Sequence, residues 1–197
     1  SLLEYHKYGE YTYHMNLTGQ LLVSMPSLED ERFFKTVIYM CAHSKEGAMG
    51  IIINKKIDYD LYPNLLEQLG IDKPLENKKL FIRYGGPVES GRGFVLHSDE
   101  ITRQETLSID KGIALTSTAE FFENLSKDRG PKNSILALGY AGWEPGQLEK
   151  EIRSNSWMTL STDTSFIFDE EVSNKWSQAY NLLGIDPYKL SHQSGRA

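Results

Sequence analysis

The stretch that most constrains this chain lies at residues 134–140. There Ile, Leu, Ala, Leu and Gly follow one another with no charge and no strict alternation. Bounded by turn signals, the run reads as a central strand covered on both faces. A fold built around such a strand needs neighbours on each edge and a layer above and below it.

The neighbours recur at hairpin spacing. Residues 17–25 alternate loosely, with Leu17, Gly19, Leu21 and Val23 on one face, and read as a half-buried strand ending at Pro26. The polar segment 27–31 has a capping-type start and predicts one helical turn leading to Phe33 and Phe34. Residues 36–43 and 48–54 form two apolar runs joined by Ser44-Lys45-Glu46-Gly47, which predicts a hairpin. Short strands are expected at 80–83, 93–97, 106–109 and 112–115, close enough in sequence to pair as antiparallel neighbours.

Helices fall between them at irregular intervals. Leu61, Leu65, Leu66 and Leu69 give residues 62–69 an apolar face, with Pro63 in the first turn and Gly70 as the C-cap. Ser117-Thr118-Ala119-Glu120 is a capping box ahead of Phe121, Phe122 and Leu125. Pro145 opens a short helix carrying Leu148 and Ile152 up to about Asn155, and residues 157–160 resume extended structure. The last long element, residues 170–183, puts Val172, Trp176, Tyr180 and Leu183 on one stripe and stops at Gly184. Strands and helices that do not alternate one for one point to an α+β fold and away from a doubly wound parallel sheet. With no repeat and no Pro-, Gly- or Ser-rich linker, residues 15–197 read as a single domain preceded by an N-terminal extension over 1–14.

Charge and cysteine usage exclude several functions. A net charge of −6 and a pI of about 5.4 repel phosphate backbones unless basic residues gather on one face. Lys55-Lys56 and Lys78-Lys79 are isolated pairs that read as solvated turn residues, and no two adjacent helices suit a helix-turn-helix. Direct nucleic-acid binding is therefore disfavoured. The one cysteine, Cys41, leaves no intramolecular disulfide and no thiolate metal cluster, which fits a reducing cytoplasm. The longest purely apolar run, Ile51-Ile52-Ile53, is far too short to span a membrane. Residues 1–14 lack the basic start and apolar centre of a secretory signal, so a cytoplasmic protein is expected.

Catalytic motifs are sparse. No Gly-x-Ser-x-Gly elbow occurs. Cys41 stands two residues before His43, and alternation along a strand puts both on one face, a spacing that permits a thiol–imidazole pair; the plainer reading is a small buried hydrophobe beside a strand-end histidine. The five histidines show no metal-ligand spacing, and no cofactor or metal is expected. His43 and His97 each end an expected strand. The glycines at 85, 86, 91 and 93, with Pro87, precede strands and not a helix N-terminus, so they read as turns and bulges. The densest unusual stretch runs from Gly139 to Glu149 and on to Trp157: it leaves the buried strand through Gly142, presents Tyr140 and Trp143, and starts a helix with Gln147 and Glu149. That composition suits a ligand pocket at a strand-to-helix corner.

Several ordered segments, 17–26, 39–54, Gly85-Gly86-Pro87-Val88, and 139–149 with Trp157, together resemble the YqgE/AlgH family of bacterial proteins over nearly the whole chain after Met15. The resemblance implies a compact α+β fold of curved, mostly antiparallel sheet with flanking helices in a cytosolic setting. Members are often labelled transcriptional regulators, while the family brings no established enzymatic activity and no defined DNA-reading motif. Asn54, His43, His97, Tyr140, Trp143, Gln147, Glu149 and Trp157 all fall on its motifs and make up the candidate ligand-binding set, with Gly85, Gly86, Pro87 and Gly142 as structural turns. The chain departs from the pattern in its acidic loop, Leu28 to Phe33, and at Arg196, where a histidine often precedes the final alanine. The expectation is a non-enzymatic regulatory or binding protein acting through a small ligand or a protein partner. The alternative is a hydrolase or thiol-dependent enzyme using Cys41 and His43.

Overall fold

The uncharged run at residues 134–140 lies in a strand, β10 (Ser134–Trp143), on which the rest of the sheet is assembled. Its Ile135, Leu136, Ala137 and Leu138 are each 4% exposed or less, as a strand covered on both faces requires. A computed structural model describes residues 2–7, 10–57, 64–71 and 81–193 of the chain. The other strands are β1 (Leu2–Lys7), β2 (Glu10–Met15), β3 (Leu21–Ser24), β4 (Val37–Ser44), β5 (Gly47–Ile52), β6 (Ile82–Tyr84), β7 (Val88–Ser98), β8 (Leu107–Asp110), β9 (Ile113–Thr116) and β11 (Trp157–Leu160). β1 and β2 pair with each other, and the remaining nine strands form one sheet in the order β11-β3-β4-β5-β10-β7-β9-β8, with β6 beside β10. All pairings are antiparallel except that of β6 with β10. With helices α1 (Leu65–Gln68), α2 (Ala119–Ser126), α3 (Gln147–Arg153), α4 (Thr164–Phe168), α5 (Lys175–Leu183) and α6 (Pro187–Gln193), this is an α+β fold.

Both faces of the sheet carry core. On one face Val37, Tyr39 and Cys41 of β4 join Phe94, Leu115, Ile135 and Ala137 against Trp176, Ala179 and Tyr180 of α5. The opposite face is divided. Phe121, Phe122 and Leu125 of α2 cover Leu136 and Leu138 at one end, while Leu148 of α3 with Trp143 and Trp157 covers Ile38, Met40 and Ile52 at the other. The sheet also curls strongly. Asp110, at the end of the edge strand β8, lies so near Gly19 that a β-carbon there would stand 2.6 Å from its Oδ2. Gly19 precedes β3, near the opposite edge, so the twist of successive strands brings the two ends of the sheet almost together.

The structure corrects several expectations. β3 begins only at Leu21 and is buried on both faces, because β11 and β4 flank it and core lies above and below. β10 does not break at Ala141-Gly142 but continues to Trp143, where it pairs with β5. β6 runs parallel to β10 and is not an antiparallel neighbour of β7. Thr118, not Ser117, caps α2 by accepting from the Phe121 amide, while the Ser117 hydroxyl donates to the Gly93 carbonyl. α5 begins at Lys175 and not near Glu170. The helical turn expected near Phe33 is a 3-10 turn at Glu31–Phe33. Leu61 to Pro63, at the start of the first expected helix, Lys78-Lys79 and Arg196 lie outside the described residues.

Candidate functional site

The position of each site residue follows from two irregularities in the strands. Along β4, Met40 pairs with Gly50 and Ala42 with Met49, which leaves Cys41 as the additional residue of a bulge. A bulge shifts the alternation of side chains by one. Cys41 therefore packs beside Tyr39 and Phe94, whereas His43 is directed through the opposite face toward Leu17 and Glu149. The expected shared face of Cys41 and His43 is corrected on this ground. The thiol is buried, donates only to the Tyr39 carbonyl at 3.8 Å, and burial pushes its pKa up.

His43 is the pivot of a polar link between sheet and helix. Its Nδ1 accepts from the Leu17 amide at 3.0 Å, and its Nε2 lies 2.6 Å from Glu149 Oε1. A backbone N–H can only donate, so Nδ1 is unprotonated and Nε2–H donates to the carboxylate. The pair joins β4 to α3, and the imidazole is 1% exposed. Two residues further along α3, Glu151 Oε1 accepts from the indole N–H groups of Trp143 at 3.3 Å and Trp157 at 3.2 Å. Sequence reasoning missed Glu151. The signal was there in two tryptophans whose N–H groups need a partner once buried.

The other expected residues separate. Asn54 clamps the start of β4: its Oδ1 accepts from the Val37 amide and its Nδ2 donates to the Lys35 carbonyl. His97 is fully buried between β7 and α2, against the ring of Phe121. Its Nδ1–H donates to the Ser98 carbonyl, and Nε2 accepts from the Thr116 hydroxyl. Burial lowers its pKa. Gln147 is exposed and accepts from the Glu144 amide across the turn before α3.

The second irregularity builds a cleft. Between the pairs Tyr140–Val88 and Leu138–Gly93, β10 carries only Gly139 while β7 carries residues 89–92. The excess bulges out as a flap at the rim of an open cleft of about 950 Å³. Cys41, Met49, Phe94, Leu115 and the half-buried Tyr140 supply its apolar floor, with the Phe94 and Tyr140 rings edge to face at 5.7 Å. Gly142 keeps the Tyr140 ring uncovered: a β-carbon there would meet the ring at 3.3 Å. Glu46, Glu89, Glu105 and Glu144 stand round the rim with Arg92, whose guanidinium lies over Phe94 at 5.0 Å and 3.5 Å from Glu89. Glu89 holds φ +47°, a conformation uncommon outside glycine and costing of order 1–3 kcal/mol.

Of the expected set, Tyr140, Gly142, His43 and Trp143 border this cleft, although the His43 and Trp143 rings are turned into the layer beneath; Asn54, His97, Gln147, Glu149 and Trp157 do not line it. Among the described residues no three His, Cys, Asp or Glu side chains gather as a metal site. No helix among them is long and apolar enough to cross a membrane.

A family model described as AlgH-like matches residues 21–188. A UPF0301 protein of Nitrobacter hamburgensis is 49% identical over 189 residues, covering 92% of this chain and 88% of its own length. One from Rhodospirillum rubrum is 45% identical over 181 residues, covering 92% and 94%. The solution structure of the AlgH protein from Pseudomonas aeruginosa superposes with a TM-score of 0.75 at 35% identity, covering 93% of this chain and 95% of that one. A crystal structure from Corynebacterium diphtheriae, 20% identical with a TM-score of 0.63 and covering 84% and 86%, shares the fold.

Proposed function

The chain belongs to the AlgH-like family, and from that membership we propose that it is a non-catalytic, cytosolic regulatory protein whose cleft between β4, β7, β8 and β10 binds a ligand or partner. The observation that carries this reading is the cleft itself: an apolar floor in which the half-buried Tyr140 is open to the cleft above the buried Phe94, under a flap held in a strained conformation at Glu89. Concave, mostly apolar sites with a few convergent polar groups are where proteins bind small molecules and segments of other chains.

The chemistry of these side chains favours binding over turnover. The one thiol is buried in the cleft floor with its pKa pushed up, so it stays protonated, and the histidine nearest to it in sequence is committed to Glu149 on the other face. A nucleophile needs a base within hydrogen-bond reach, and this pair has none of that geometry. Regulation by reading DNA is disfavoured by the net charge of −6 and by a rim dominated by carboxylates.

The test is a thermal-shift panel of amines, nucleotides, amino acids and short peptides on the wild type and on Ala42→Trp. Ala42 is exposed on the cleft wall, and an indole there projects into the cleft and obstructs it. A ligand at a hundred times its Kd raises Tm by roughly 5–10 °C for a chain of this size. That rise is expected in the wild type and absent from Ala42→Trp. A panel with no stabilising member, or an equal response in the variant, refutes the reading.

A further inference from the structure

The cleft is the mouth of the curled sheet, and an unpaired strand edge forms one bank of it. β8 ends the strand order, so among the described residues its outer edge has no backbone partner. That edge faces the seam: Asp110 meets Gly19 at one end of β8, while Leu107 and the preceding Glu105 border the cleft at the other. Across the seam the chain leading into β3 stays bonded to β4 as far as Met40, whose amide donates to the Gln20 carbonyl and whose carbonyl accepts from the Gly19 amide, and Thr18 and Ala42 then line the cleft.

We propose that the occupant of the cleft is an extended segment of a partner protein that pairs with the outer edge of β8 and alternates basic with aromatic or aliphatic residues. This rests on the cleft being the binding site. Edge strands with free N–H and C=O groups are templates for added strands, and soluble proteins usually blunt them with lysine, proline or short length. β8 reads Leu-Ser-Ile-Asp and carries neither lysine nor proline; it is short, with a register shift between Ser108 and Asp110, so the backbone pairing it offers is centred on Leu107 and Ser108, and Leu107 is 48% exposed.

Alternation in an added strand sends successive side chains to opposite sides. Those facing inward meet the half-buried Tyr140 and Met49 and the exposed Leu107, which suits rings and branched aliphatics. Those facing outward pass Glu105, with Glu46, Glu89 and Glu144 round the rim and Arg92 as the one Lys or Arg lining it among the described residues. Basic residues complement that balance, and acidic ones are repelled. Arg92 over Phe94, tied to Glu89, already places a guanidinium between a ring and a carboxylate of this cleft.

The test uses a labelled hexapeptide alternating lysine with phenylalanine or valine, followed by fluorescence anisotropy against the full chain. Three comparators accompany it: glutamate in place of lysine, the same peptide N-methylated at alternate residues, and free phenethylamine as competitor. Micromolar binding of the basic peptide is expected, falling at least tenfold with either peptide change and at least tenfold in Glu105→Lys/Glu144→Lys. Both glutamates are exposed, so unchanged thermal unfolding of that variant confirms its fold. Equal binding of the acidic or N-methylated peptide overturns the proposal, as does an unaffected glutamate variant or full competition by phenethylamine at equal concentration. If the basic peptide does not bind but a small molecule blocked by Ala42→Trp does, the occupant is wrong and the cleft reading stands. Silence from both removes both.

Discussion

At Gly139 the backbone takes φ +74°, and a β-carbon there would stand 2.2 Å from the Gly86 carbonyl oxygen; one on Gly85 would stand 2.3 Å from the Gly139 oxygen. Two backbones touch at this point, with the Gly85 amide donating to the Leu138 carbonyl at 2.7 Å, and only glycine leaves room. Gly139→Ala is expected to lower stability by about 3 kcal/mol or more, whereas Gly91→Ala, with nothing within 4 Å, costs under about 1 kcal/mol; denaturant unfolding distinguishes them. A second residue-scale prediction concerns Lys175, which is fully buried, donates to the Phe166 carbonyl and has its pKa pulled down to about 8, chiefly by burial and next by the nearby Arg83. Between pH 8 and the ordinary lysine value the unfolded chain binds a proton that the folded chain has released, so stability rises with pH there by up to about 1.4 kcal/mol per unit. Above pH 9 the raised pKa of Cys41 opposes it, because the unfolded thiol then ionises and the folded one does not. Unfolding between pH 8 and 9 is therefore expected to show a rise that Lys175→Met abolishes. An unchanged slope in the variant would assign the rise to another group.

Among the elements, α3 depends on the sheet for more than apolar contact. His43 links it to β4 through Glu149 and simultaneously satisfies the buried Leu17 amide, so His43→Ala removes both contacts at once. The expected cost is roughly 2–4 kcal/mol, with faster native-state hydrogen exchange concentrated in α3 and little change in α5. Uniform acceleration across both helices would contradict a local clamp. The elements also show what the sequence displays and what it hides. The β4–β5 hairpin and α2 are legible because apolar pattern and turn or cap residues agree over each, and β10 because its run is uninterrupted by charge. The bulges at Cys41 and opposite Gly139 are not, since an added residue shifts the side-chain phase without altering composition. For the same reason Cys41 and His43 read as neighbours in sequence and lie on different faces in space. α4, capped by the Asp163 side chain, had a readable start, but its five residues are too few to show a period.

For the whole molecule, the curl of the sheet shapes the cleft. The Tyr140 corner was visible in the sequence as aromatic and small residues at a strand end. The floor beneath it was not, because Cys41, Phe94 and Leu115 come from strands far apart in the chain and meet only when β8 folds round toward Gly19. The acidic rim is likewise a product of topology, drawn from turns and strand ends at Glu46, Glu89, Glu105 and Glu144. The most direct measurement is amide chemical-shift mapping of the isotope-labelled protein titrated with the alternating basic peptide. Shifts concentrated at Ala42, Phe94, Leu107 and Tyr140, saturating together and lost in Ala42→Trp, are expected. Shifts centred instead on the α5–α6 region, or spread with no saturation, would contradict the assignment of the cleft as the binding site.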